Sequence, residues 1–114
     1  MDLLQKKCVP CEGGLEKLNE AEALQFKNNY TLNWQIIENN TKIYREFKFK
    51  NFLETQSFVN EIGKIAEAEG HHPDIMFGWG YAKIYIQTHA LNGLHENDFI
   101  LASKIDNLDF KNFS

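Results

Sequence analysis

No apolar run in this chain approaches the roughly 20 residues that a membrane-spanning helix needs. The opening MDLLQKKCVPC also lacks the continuous apolar core of a signal peptide. No long basic run or lysine stripe accompanies the formal net charge of -4, so the electrostatic footprint of nucleic-acid binding is weak. The expectation is a soluble cytoplasmic protein that engages neither membrane nor nucleic acid. Repeats and low-complexity segments are missing as well. With 114 residues, 43% of them apolar and 13% aromatic, residues 1–114 read as one small domain able to bury a core.

Cysteine is scarce: Cys8 and Cys11 form one CVPC pair, in a segment that runs into Gly13 and Gly14. One pair is at most half of a structural zinc site, and there is no second CxxC and no HxxxH to complete it. A thioredoxin-type redox pair would follow a strand and open a helix. The remaining reading is a pair of reduced thiols on a flexible or loosely packed arm, residues 1–14.

The rest of the chain changes period from element to element. Leu15 to Asn29 carries a helical pattern with Leu18, Ala21, Leu24 and Phe26 on one side and Asn19 as a cap. The period then falls to two. Leu32, Trp34 and Ile36 alternate with Asn33, Gln35 and Ile37, then Asn39, Asn40 and Thr41 supply a turn, and Ile43, Phe47 and Phe49 follow, with Arg45 breaking one apolar position. Asn51 and Glu54 form a capping-box-like pair ahead of a helix whose stripe is Phe58, Val59, Ile62, Ile65 and Ala66, and Gly70 can end it in the left-handed conformation. Beyond Pro73, Ile75, Phe77 and Trp79 alternate, Gly78 and Gly80 permit a bend, and Ala82, Ile84, Ile86 and Thr88 alternate again. A last helix has Leu94, Leu101, Ala102 and Ile105 inward and Glu96 and Asp98 in its first turn. The order α-β-β-α-β-β-α predicts an α+β two-layer domain, a four-stranded antiparallel sheet with helices on one face.

All four histidines flank the second hairpin: His71 and His72 enter it, His89 leaves it, and His95 follows. Antiparallel neighbours place the start of one strand beside the end of the other, which predicts that His71, His72 and His89 share one end of the sheet. Three imidazoles can hold a zinc, but adjacent residues in extended chain point to opposite sides, so a shared ion needs a strongly bent loop. Acid/base work is less demanding, because a histidine near its unperturbed pKa of about 6.5 gives or takes a proton at neutral pH. Metal binding, proton transfer and a purely structural role all remain open on spacing alone.

The run Glu67, then His71, His72 and Pro73, then Trp79, His89 and Asp98 resembles the signature of the pterin-4a-carbinolamine dehydratases. The segments IYREFKFKNF and GLHENDFILASKI resemble that family's second strand with helix cap and its closing helix, and KCVPCEGG resembles the opening of some microbial members. The chain departs from the pattern at Asp74, at Trp79 where tyrosine is frequent, and at His95 where a serine or threonine usually caps the last helix. The resemblance implies an α+β fold, a homodimer or homotetramer, and a hydro-lyase needing no metal and no organic cofactor. The implied reaction dehydrates 4a-hydroxytetrahydrobiopterin to quinonoid dihydrobiopterin in tetrahydrobiopterin recycling, linked to an aromatic amino acid hydroxylase. It also implies His71, His72 and His89 as the catalytic set, with His72 and His89 exchanging protons and His71 binding the pterin or acting as acid. Pro73 and the segment Thr88, His89, Ala90 and Leu91 would line the pterin site. Among supporting residues, Glu67 reads as a solvated charge or an orienter of His71, Asp98 as a helix cap or dipole partner, Trp79 as core or interface packing, and His95 as an exposed loop residue. The competing function is a non-enzymatic dimerisation or transcription-coactivator-type module on the same fold.

Overall fold

The computed structural model describes residues 3–9 and 16–108; Cys11, Gly13, Gly14 and Leu15 lie outside them. Helix α1 spans Glu20–Tyr30 and begins at the predicted cap, where Asn19 and Glu22 bond each other's backbone N–H groups at 2.8 and 3.0 Å. The helix therefore starts after Asn19, and Glu16 to Asn19 precede it as irregular chain. Its inner face also differs from the expected one: Ala23 is buried while Ala21 and Leu24 are exposed. The ring of Phe26 decides this, stacking on Phe99 at 5.4 Å and outweighing the smaller leucine.

Strand β1 (Gln35–Ile37) is short, because Leu32 and Asn33 form a turn that leaves Leu32 exposed and Trp34 fully buried. Glu38, Asn39 and Asn40 all take positive φ and carry the chain into β2 (Lys42–Lys48), a conformation asparagine tolerates better than most residues. Arg45 lies on the inner face between Ile43 and Phe47, where it stacks over the Phe47 ring at 4.4 Å. Its guanidinium meets Asp106 at 2.7 Å, and the Trp34 indole donates to the same carboxylate oxygen at 2.8 Å. The break in the apolar pattern is thus a paired charge at the core's margin. Burial raises the Asp106 pKa above the usual carboxylate value, partly offset by Trp34 and Arg45.

Helix α2 (Phe52–Glu69) buries Phe58, Ile62 and Ala66, with Val59 and Ile65 packed beside them. The Asn51 side chain caps Glu54 N at 2.9 Å, but Glu54 reaches back to Lys50 N at 3.1 Å rather than to Asn51. Gly70 ends the helix at φ 65°. Strands β3 (Asp74–Gly78) and β4 (Tyr81–Ile86) follow, joined by Trp79 and by Gly80 at φ 80°. All pairings are antiparallel in the order β1-β2-β4-β3. Ile43, Ala82, Ile84 and Ile86 face the helices, whereas Tyr44 and Tyr85 meet on the opposite face at 4.9 Å.

Helix α3 (Glu96–Asp106) is enclosed rather than amphipathic. Besides the expected Leu101, Ala102 and Ile105, it buries Asn97, Asp98, Phe99, Ile100 and Ser103. The extra cover comes from α1, α2 and the N-terminal segment, all of which pack on it. That segment is not loose over its described part: Leu3 is 1% exposed and belongs to the core. The observed architecture is therefore the predicted α+β two-layer domain, with an added strap over its last helix.

Candidate active site

Gly70 delivers His71 directly from the end of α2, and Asp98 occupies the first turn of α3 behind His95. The register of β3 and β4, continued past their ends, sets His71 opposite Thr88 and His72 opposite Gln87. The side chains complete this alignment. His71 Nε2 lies 2.7 Å from Asp98 Oδ1, the Thr88 hydroxyl donates to Asp98 Oδ2 at 2.9 Å, and the His95 backbone N–H donates to the same oxygen at 2.9 Å. A carboxylate surrounded by donors requires the proton on His71 Nε2, which orients the ring. All three side chains are buried.

His72 and His89 sit outside this network, both exposed. His72 Nε2 is 3.0 Å from Glu67 Oε2 in a pair whose side chains are 60% and 80% exposed, so the contact biases orientation more than stability. His89 Nδ1 accepts from Gln87 Nε2 at 2.8 Å. A turn of 3-10 helix, His89–Leu91, is closed by the backbone bond from Thr88 N to Gly93 O at 3.0 Å and by Asn92 at φ 48°. This fixes His89 and Ala90 as a lip beside the hairpin's open end.

Several expectations change on this geometry. Glu67 pairs with His72, while Asp98 orients His71 and caps α3 at once. Thr88 is fully buried and its hydroxyl is spent on Asp98, so it supports the site from behind instead of lining it. Trp79 is 70% exposed at the hairpin turn, the end of β3 and β4 remote from His71, so it is not core. His95 is no loop residue: its Nδ1 accepts from Asn97 N at 3.1 Å, and Asp98 completes a capping box. An imidazole nitrogen here replaces the hydroxyl oxygen of a usual cap. Spacing offered one overlooked signal, since His95 and Asp98 stand at capping-box separation.

The N-terminal segment adds residues that pattern reading did not reach. Cys8 N donates to Glu69 Oε1 at 2.9 Å, Val9 N donates to Asn97 Oδ1 at 3.0 Å, and Asn97 Nδ2 donates to Val9 O at 2.8 Å. Lys104 Nζ meets Glu69 Oε2 at 2.6 Å. Burial pulls the Glu69 pKa up, but Lys104 and the Cys8 N–H outweigh it and hold the group below its ordinary value. Burial, reinforced by the Glu69 charge, pushes the Cys8 thiol up to about 12, so it stays protonated at neutral pH.

A groove of about 510 Å³ runs past Arg45 to Lys50 and Glu54 and contains no histidine. Its size is a weaker pointer than the chemistry at the other place, where a buried, oriented imidazole sits beside two exposed ones. No helix among the described residues is long and apolar enough to cross a membrane.

The structure is thus a two-layer α+β domain with a buried, aspartate-bonded histidine and two exposed histidines at one hairpin end. The chain belongs to the pterin 4 alpha carbinolamine dehydratase family, whose profile matches residues 16–108. It is 50% identical over 108 residues to a protein of Halorhodospira halophila (95% of this chain, 98% of that one). It is 47% identical over 106 residues to one of Methylococcus capsulatus (93% and 92%). Both carry the provisional name pterin-4-alpha-carbinolamine dehydratase. Among solved structures, a transcriptional coactivator/pterin dehydratase from Brucella melitensis aligns with a TM-score of 0.74 at 28% identity, covering 80% of this chain and 96% of that one. A pterin dehydratase-like protein described as a RuBisCO assembly factor in the alpha-carboxysome shares the fold, with a TM-score of 0.56 at 24% identity and coverage of 64% and 84%.

Proposed function

We propose that the chain is a cytoplasmic hydro-lyase that removes water from 4a-hydroxytetrahydrobiopterin to give quinonoid dihydrobiopterin, in tetrahydrobiopterin recycling beside an aromatic amino acid hydroxylase. The observation that carries this reading is the His71–Asp98 pair, with exposed His72 and His89 at the same hairpin end. The C4a–O bond breaks as an imidazolium donates a proton to the departing hydroxyl, which leaves as water. A neutral imidazole takes the proton from N5 as the C4a=N5 bond forms, so protons given and taken balance. His72 and His89 exchange these protons, and His71, held by Asp98, binds the pterin or serves as the acid. Pro73, Ala90 and Leu91 form the apolar border on which the flat ring rests. The chemistry calls on no metal and no organic cofactor.

On one chain these groups make an open surface, whereas small-molecule sites bury most of their ligand. A homodimer or homotetramer is therefore part of the proposal. A second reading, a non-enzymatic dimerisation or coactivator-type module, draws on the description of the Brucella melitensis relative and on the exposed apolar side chains Phe52, Leu53, Met76, Phe77 and Trp79. Adding purified protein to chemically generated 4a-hydroxytetrahydropterin separates the two. Acceleration of dehydration over buffer supports the enzyme; no acceleration rejects it and leaves the binding module.

A further inference from the structure

The two members of the His71–Asp98 pair ride on separate elements, one on the C-terminal end of α2 and the other on the first turn of α3. Their 2.7 Å contact therefore depends on how those two helix ends are held together. Glu69 lies two residues before His71, and Asn97 is the immediate neighbour of Asp98. These are the side chains that grip the N-terminal segment: Glu69 takes the Cys8 N–H, and Asn97 makes a reciprocal pair of bonds with Val9. The result is a closed ring, from Asp98 through His71 to Glu69, across to Cys8 and Val9, and back through Asn97 to Asp98. Asn97 is 1% exposed and the Glu69 side chain 6%, so both anchors are buried polar groups whose arm-side partners are backbone atoms. The ring is secured from outside by Lys104 on Glu69, by Lys6 on Glu96, and by Leu3 sunk in the core.

We propose that Lys6 to Val9 form a positioning strap for the His71–Asp98 pair, with Asn97 and Glu69 as its anchor residues. The claim rests on the dehydratase reading for its catalytic consequence but not for its structural one. Neither anchor touches substrate. Each acts by fixing the angle between a helix end and the residue it presents, and misplacement of a reacting group by a fraction of an ångström to about 1 Å is enough to lower a rate by one to two orders of magnitude.

The test uses the full chain with Asn97→Ala, and Phe58→Leu as a control that weakens the core away from the ring. In the dehydration assay the strap predicts that kcat of Asn97→Ala falls by roughly tenfold with KM changed less than about twofold, while Phe58→Leu keeps its kcat below its melting temperature. Independently of activity, the His71 Nε2–H resonance should shift and broaden in Asn97→Ala, while the Trp34 indole N–H, bonded to Asp106, stays in place as an internal reference. If the wild type proves inactive, the resonance alone decides. An unmoved His71 resonance in Asn97→Ala overturns the strap, as does a kcat loss that Phe58→Leu reproduces.

Discussion

Asp98 is where a single side chain serves both fold and site. Its two oxygens receive an imidazole N–H, a hydroxyl and a backbone N–H from three different parts of the chain. Replacing it with asparagine keeps the shape but turns one acceptor into a donor facing donors. Asp98→Asn should therefore cost about 1–3 kcal/mol, read by urea denaturation, and should lower the dehydration rate because His71 loses its orientation. Unchanged stability would mean that the buried bonds are not what holds this junction. Glu67, also in the family signature, contrasts with Asp98: it is exposed, and its pair with His72 contributes little to stability.

At the scale of elements, boundaries set by local chemistry were legible from the residues themselves. Asn19 and Asn51 cap their helices and Gly70 ends α2 as read, because capping and left-handed φ depend on near neighbours only. Faces and supports were not. The inward face of α1 follows from Phe26 meeting Phe99, a contact between residues far apart in sequence. The burial of α3 on nearly all sides follows from an N-terminal segment whose composition suggested no docking. His95 stands at the expected cap position but reads as a loop residue from sequence, because imidazole is not a usual capping group. His95→Ala should destabilise the chain by about 1 kcal/mol while His95→Ser restores it, measured by thermal denaturation; equal losses in both would contradict the capping role. The strap has its own pH signature. Glu69 has its folded-state pKa lowered from 4.5, so its contribution is complete above that value and is lost as pH falls through the lower folded one. The Cys8 amide resonance should titrate with a midpoint below 4.5, and a midpoint above it would show that Glu69 is not held in this way.

For the whole molecule, the hairpin placed the histidines at one end of the sheet, as strand pairing requires, and the resemblance in sequence pointed to the same family that the comparisons establish. What pairing could not supply was the division of labour. His71 is buried and oriented, whereas His72 and His89 are exposed. Phe52 and Phe77, with ring centroids 5.7 Å apart, form an exposed apolar strip along β3, an edge strand of the sheet, while Met76 is exposed on the opposite face of that strand. Such a strip next to unpaired strand groups favours self-association. Sedimentation equilibrium should give a multiple of the 13.3 kDa chain mass, reduced to one chain in Phe77→Asp; a single-chain mass for the wild type would contradict the proposed assembly.

Histidine proton transfer is the central claim, and the dehydration of chemically generated 4a-hydroxytetrahydropterin tests it most directly when wild type is compared with His72→Ala and His89→Ala. Each variant should be slower by roughly 10²-fold or more, the scale of one acid/base group, with the fold intact by circular dichroism. Wild-type rates in both variants would contradict it.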